Sequence, residues 1–248
     1  MVVIIDESRL SDLRSNPRSP SVFAKSGLDG RRIVLGIDFD NTLARYDELF
    51  HSLAIERGLI HPGTPATKLA VRSALREQGR DREWTELQGL AYGERLLHAP
   101  PFEFAIEALR ALHQRGCELR IVSHKTRFPA RGPRFDLRQS ALDWLRIHRI
   151  MDLEATGIGR AQVFFENSQR DKRARIQSLG CTHFIDDLRE FLLHPEFPTG
   201  VQRLLFDPNS LDRLHESIPV ITHWDQVREC LSPTRKFVDH DALPYRSI

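Results

Sequence analysis

The stretch Ile33-Val-Leu-Gly-Ile-Asp38-Phe-Asp40-Asn-Thr-Leu43 decides the fold of this chain. A five-residue apolar run, Ile33 to Ile37, leads without interruption into Asp38, Phe39 and Asp40, and the chain then turns through Asn41 and Thr42. An unbroken apolar run of that length suits a strand buried on both faces, as in a parallel sheet. Residues two apart on extended backbone point to the same side, so Asp38 and Asp40 converge while Phe39 faces the interior. Two carboxylates gathered at the end of a buried strand repel each other and lose solvation, and a divalent cation offsets both costs. A metal site is therefore expected here.

Outward from this strand, helical and strand patterns alternate. Leu119 to Val122 is a second buried-type strand ending at Ser123, and Val163 to Phe165 a third ending at Glu166. His183 to Ile185 is a fourth, ending in Asp186 and Asp187, and Arg203 to Phe206 a fifth, ending in Asp207. Between them lie amphipathic helices over Pro101–Arg115 and Asp136–His148, and a polar helix that carries Lys172 and finishes near Leu179. Ile218 to Ile221 contains Pro219 and so allows at most an edge strand, with a helix from His223 to Leu231 behind it. This alternation predicts an α/β, Rossmann-like three-layer core around a parallel sheet.

Residues 47–98 break the alternation. Asp47 to Arg57 reads as one helix, stopped by Gly58. Thr64 and Pro65 are a cap and first-turn pair for a second, running to Gln78. Asp81 is placed to cap a third, in which Trp84, Leu87 and Leu90 or Ala91 form a packing stripe. Three helices between two strands predict a small all-helical cap inserted into the core. The expected organisation is an N-terminal extension over 1–32, a core over 33–46 and 99–231, the cap over 47–98, and a polar tail over 232–248. Within the extension, Val2–Ile5 could form a strand, and Ile5-Asp6 superficially repeats the strand-then-Asp pattern, but nothing like Asp40 or Thr42 follows; Asn16 to Ser21 reads as a linker.

Charge and cysteine usage narrow the classes. Thirty-six lysines and arginines against 34 acidic residues leave a net charge of +2, a balance that does not call for nucleic acid or an anionic membrane as partner. No run approaches the length of a membrane span, and Met1 to Ile5 is too short for a secretory apolar segment. Cys117, Cys181 and Cys230 fit neither a disulfide framework nor a zinc site. A cytoplasmic setting is expected.

Asp38, Ser123 and Asp186 each follow directly on a buried-type strand. In an open parallel sheet the carboxyl ends of the strands share one edge, and that edge binds ligands. Lys172, early in a helix that follows another strand, falls on the same edge. These residues resemble the four scattered motifs of the haloacid dehalogenase-like superfamily, in order and over about residues 33–206. Asp38-Phe39-Asp40-Asn41-Thr42 matches the first motif, Ser123 the second, Lys172 the third and Asp186-Asp187 the fourth. The helical insert stands at that superfamily's cap position.

The resemblance implies a role for each residue. Asp38 would be a nucleophile forming an aspartyl-phosphate, and Asp40 would protonate the leaving-group oxygen and then deprotonate the hydrolytic water. Mg²⁺ would be held by Asp38, the backbone carbonyl of Asp40 and Asp186, with Asp187 helping directly or through water. Ser123 and Lys172 would bind the phosphoryl oxygens, Thr42 would orient the first loop, and His124, which stands where the superfamily often has a small polar residue, would be a substrate contact or a bulkier wall. Asp40 favours a phosphatase over a dehalogenase, because a halide leaves without a proton whereas an alkoxide needs one. The expected activity is Mg²⁺-dependent hydrolysis of a small phosphorylated substrate, a sugar phosphate or a nucleotide. A phosphosugar mutase and a non-catalytic binding or regulatory domain are the rivals. Lys125, Arg127, Arg131 and Arg134 read either as a solvated basic loop or as a clamp for a second anionic group, and Lys68, Arg72 and Arg76 recur at helical spacing in the cap.

Overall fold

The structure, a computed structural model, describes residues 32–210 and 218–231. The strand expected at Val2–Ile5, the linker after it and the polar tail lie outside these residues. Six strands form one parallel sheet: β1 (Val34–Ile37), β2 (Glu118–His124), β3 (Val163–Glu166), β4 (His183–Asp186), β5 (Gln202–Phe206) and β6 (Val220–Ile221). Their order is β3-β2-β1-β4-β5-β6. The chain moves outward from β1 to β3 and then returns to the other side of β1, so the strand order reverses between β1 and β4. Such a reversal opens a crevice at the carboxyl ends of the strands. The short, proline-led β6 takes the sheet edge, as its sequence requires.

Both faces of β1 are covered, which is why its sequence is continuously apolar. Leu35 and Ile37 pack with Leu109, Leu112 and Trp144 on one side, while Val34 joins Phe184, Phe191 and Ile176 on the other. The first group comes from α4 (Ala105–Gln114) and α5 (Leu137–Ile147), the second partly from α6 (Gln169–Ser178) and α7 (Arg189–Leu192). Gly36 lies under Phe184: a Cβ there would stand 2.4 Å from the Phe184 ring. A last helix, α8 (Asp225–Cys230), places Trp224 just before its start, with Nε1 donating to the Thr42 carbonyl at 2.9 Å.

The insert holds α1 (Asp47–Glu56), α2 (Lys68–Glu77) and α3 (Asp81–Tyr92), which pack on one another around Phe50, Leu53, Val71, Leu75, Trp84 and Leu87. Phe50 and Trp84 stack with centroids 5.0 Å apart. The stripe at Trp84, Leu87, Leu90 and Ala91 is buried, as its spacing predicts. Gly89 and Gly93 let α3 approach the core closely; a Cβ on Gly89 would meet the Arg131 carbonyl at 2.8 Å, and one on Gly93 the Phe135 Cβ at 3.0 Å.

Three boundaries differ from the sequence reading. Thr67, not Thr64, caps α2: its Oγ1 accepts from Ala70 N at 3.1 Å, and Asp47 Oδ1 takes the Lys68 N–H at 2.8 Å. Thr64 instead closes a turn onto the His61 carbonyl. Arg80 occupies the N-cap of α3, and Asp81 lies inside its first turn. The helix expected from Pro101 begins at Ala105, because the two crossings between core and insert pair with each other: Arg45 N donates to Pro100 O, Phe102 N to Leu43 O, and Ala44 bridges Pro101. Backbone committed to that pairing is extended and cannot also be helical, and Phe104, at φ 61°, makes the turn into α4.

Candidate active site

The register of the sheet carries the carboxylates to one place. Ile37 pairs with Ile121 of β2 and Ile185 of β4, so Asp38 and Asp186 emerge side by side and Ser123 emerges next to them. Asp38 N donates to the Ile185 carbonyl at 3.0 Å, continuing the ladder one residue past β1. Asp38, Asp186, Ser123 and Lys172 are all buried. Ser168 caps α6 and accepts from Asp171 N, which fixes Lys172 in the first turn with its side chain directed back at the sheet. Lys172 Nζ lies 2.5 Å from Asp38 Oδ1 and 2.7 Å from Asp186 Oδ2.

Electrostatically the cluster has an excess of negative charge. Burial pushes the Asp38 carboxyl up to about 7, against the pull of Lys172 and with the push of Asp186 and Asp40. Burial, then Asp186 and Asp38, hold the Asp187 carboxyl well above the usual range. Burial works against the Lys172 ammonium, yet Asp186 and Asp38 outweigh it and keep its pKa above the ordinary lysine value. Asp38, Asp186 and Asp187 each offer a carboxylate oxygen, all within 4.8 Å of one another. Lys172 contacts two of these three carboxylates and Lys68 acts on Asp187, and a cluster of hard oxygen donors of this kind fits a divalent cation such as Mg²⁺. The Asp40 side chain stands outside that trio, so Asp40 could serve a cation through its backbone carbonyl alone. Asp187 does not cap the following helix, whose N-cap is Leu188 with no side-chain cap bond, and Asp186 Oδ1 accepts from Leu188 N at 2.9 Å.

These residues open onto a cavity of about 350 Å³. Asp38, Asp40, Ser123, His124, Lys172 and Asp187 form its floor and sides from the core, and Lys68, Gln88 and Tyr92 reach it from the insert. His124 is exposed on the wall, with Nε2 3.2 Å from the Asn167 carbonyl. Thr42 is not on the wall: its side chain is fully buried and its carbonyl accepts from Trp224 Nε1, a place from which it orients the first loop without touching a substrate. Asn41, at φ 57°, makes the turn that lets Asp40 face the cavity.

The basic residues sort themselves in a way the sequence did not reveal. Arg127 is exposed and pairs with Asp136, Arg134 covers the Phe128 ring, and Arg131 points to solvent from a loop whose backbone packs on Gly89. Arg72 is exposed, and Arg76 reaches Asp81. Lys125 alone of its loop turns inward, to Asp40, and Lys68 alone of its row reaches the cavity. Lys68 lies over the Tyr92 and Phe50 rings, 5.6 and 5.8 Å from their centroids. Burial opposes its charge, but Tyr92 and Asp187 raise its pKa above the ordinary value. Tyr46, the residue before α1, was missed by sequence reasoning; its hydroxyl donates to Asp40 Oδ1 at 2.5 Å. An aromatic six residues past the carboxylate pair carries no pattern that would single it out.

No protein-family model matches the chain, and no curated protein matches it in sequence. Solved structures do match in fold. A haloacid dehalogenase family hydrolase from Deinococcus radiodurans R1, with bound phosphate and sodium, superposes with a TM-score of 0.51 at 18% identity, over 81% of this chain and 95% of that one. A superfamily hydrolase from Ehrlichia chaffeensis covers 80% of this chain and 95% of its own at 14% identity, with a TM-score of 0.45. One from Geobacter sulfurreducens PCA, assigned to subfamily IA, covers 81% and 97% at 13% identity, with a TM-score of 0.47. The chain has the fold of the haloacid dehalogenase-like hydrolases.

Proposed function

We propose that this protein is a Mg²⁺-dependent phosphomonoester hydrolase acting on a small metabolite through an aspartyl-phosphate. One observation carries the reading: the buried Asp38 carboxylate opens, with Ser123, Lys172 and Asp40, onto a single cavity. A phosphate dianion repels a carboxylate nucleophile, so attack requires opposing charge held in place beforehand. Lys172 supplies part of it from 2.5 Å. A cation held by Asp38, Asp186, Asp187 and the Asp40 carbonyl would supply the rest when bound, by neutralising phosphoryl oxygens.

The chain's own residues then divide the work. An Asp38 oxygen attacks phosphorus, the bond from phosphorus to the leaving oxygen breaks, and Asp40 gives that oxygen its proton. Asp40, now ionised, takes a proton from water as the water oxygen attacks the aspartyl-phosphate; the bond from phosphorus to Asp38 breaks, and inorganic phosphate leaves. Ser123 and Lys172 hold the phosphoryl oxygens through both steps. The α1–α3 insert acts as a cap, and with Lys68, Gln88, Tyr92 and His124 on the wall the cavity suits a small hydroxylated ester, a sugar phosphate or a nucleotide. That cavity opens in a chain whose described residues include no helix long and apolar enough to cross a membrane, and Cys117 and Cys181 are buried free thiols, which suits a cytoplasmic setting. The phosphate bound to the Deinococcus hydrolase is a further point in favour of phosphoryl chemistry on this fold.

The test is phosphate release from an aryl phosphate and a panel of sugar phosphates and nucleotides, by wild type and Asp38→Asn, with Mg²⁺ or with EDTA. Release by the wild type alone, and only with metal, is expected. Equal release by Asp38→Asn, or no release from any ester by folded, Mg²⁺-supplied wild type, overturns the reading.

A further inference from the structure

Lys125 stands two residues past Ser123, where the chain has just left β2. Its backbone is pinned on both sides: the N–H donates to the Glu166 carbonyl at 2.9 Å, and the carbonyl accepts from Arg138 Nε at 2.9 Å. Arg138 is itself anchored, with Nη2 donating to Asn167 Oδ1 at 2.7 Å. The side chain runs inward until Lys125 is only 3% exposed. Its Nζ lies 3.0 Å from each oxygen of Asp40 and faces the rings of Phe39 and Tyr92, 5.2 and 5.1 Å from their centroids. The Tyr46 hydroxyl closes on Asp40 Oδ1 from another direction.

An ammonium this deeply buried is tolerated only when it is well paired. Both oxygens of the carboxylate that pairs with it belong to Asp40, which itself lines the cavity. We propose that Lys125, assisted by Tyr46, is a positioning residue for Asp40. It holds the Asp40 carboxyl at the cavity wall, apart from the Asp38, Asp186 and Asp187 oxygens, so that proton transfer with the leaving oxygen and with water occurs at fixed geometry. This rests on the phosphatase reading above, and it extends it to residues that the motif resemblance does not include.

The consequence depends on the leaving group. As Asp38 attacks, an alkyl ester needs the Asp40 proton on its departing oxygen, whereas 4-nitrophenolate departs without it. Misplacing a catalytic group by about 1 Å costs on the order of 100-fold. The experiment measures kcat/KM for glycerol 2-phosphate and for 4-nitrophenyl phosphate with Mg²⁺, in wild type, Lys125→Met, Tyr46→Phe, Asp40→Asn and the Lys125→Met/Asp40→Asn double variant. Lys125→Met is expected to lose about 100-fold on the alkyl ester and less than about 5-fold on the aryl ester. It should add nothing to the loss already caused by Asp40→Asn, and Tyr46→Phe should shift the alkyl-to-aryl ratio in the same direction.

Equal losses on both esters, or losses that multiply in the double variant, overturn the positioning role. Should Lys125→Met alone fail to fold, the double variant, which removes both charges of the pair, and Tyr46→Phe carry the comparison. A folded, Mg²⁺-supplied wild type that releases phosphate from neither ester and from none of the sugar phosphates and nucleotides overturns the phosphatase reading and this role with it. Hydrolysis of both by wild type, together with an unshifted ratio in the variants, overturns the positioning role alone.

Discussion

Replacing Lys172 by methionine keeps the volume of the side chain and removes the one ammonium shared by Asp38 and Asp186. At 2.5 and 2.7 Å, with an effective dielectric of ~20, each ion pair is worth about 6 kcal/mol of Coulomb attraction. Burying an ammonium gives back several kcal/mol of that, so the net loss follows the range for breaking a buried pair, about 3–5 kcal/mol. For a chain of this size each kcal/mol moves the melting temperature by about 2–4 °C, which sets the expected drop at about 6–20 °C without metal. Thermal unfolding followed by circular dichroism, with EDTA and with Mg²⁺, measures it. A cation bound only by the folded state adds about 2.7 kcal/mol at a hundred times its Kd. In Lys172→Met that cation becomes the main counter-charge for Asp38 and Asp186, so the stabilisation by Mg²⁺ should exceed that in the wild type. Identical midpoints for wild type and variant in EDTA would refute the reasoning, since they would mean that the lysine compensates nothing.

Two further outcomes follow from the cavity and the sheet. Lys68→Met should raise KM about 10-fold, in the range of a lost hydrogen bond to a charged group, with little change in kcat, while Arg72→Ala and Arg131→Ala, both exposed outside the cavity, leave both parameters unchanged. Steady-state kinetics on the best ester decides it, and a fall in kcat at constant KM for Lys68→Met would contradict a binding role. Gly36→Ala forces a methyl group to within 2.4 Å of the Phe184 ring and 3.0 Å of Cys181 Sγ, overpacking worth about 1–3 kcal/mol. An unfolding midpoint equal to the wild type would show that the layer beneath β1 yields more easily than its packing implies.

What the chain order alone determined is substantial, and it is of one kind. The continuous apolar run into Asp38, the buried-type strands ending at Ser123 and Asp186, and the helix carrying Lys172 are local patterns, and the geometry of a parallel sheet converts four such patterns into one edge. Chain order gathers those residues by itself, because strand ends inherit their position from the sheet. The stripe of the insert and the edge position of β6 were legible for the same reason, period and proline content being properties of a few consecutive residues.

Only the tertiary structure decided which way individual side chains turn. Lys125 looked like one of four basic residues in a loop, and its inward course depends on Glu166, Arg138 and an Asp40 lying 85 positions away. Lys68 was separated from Arg72 and Arg76 by the packing of α2 against α1 and α3, which a spacing of four residues leaves undetermined. The cap of α2 falls at Thr67 rather than Thr64, where Thr67 Oγ1 takes the Ala70 N–H and Asp47, from the start of another helix, takes the Lys68 N–H. Thr42 lies buried away from the cavity, its carbonyl bound by Trp224, 182 positions on. A side chain's partner across the fold is set by where distant segments come to rest, and that information is distributed over the whole chain.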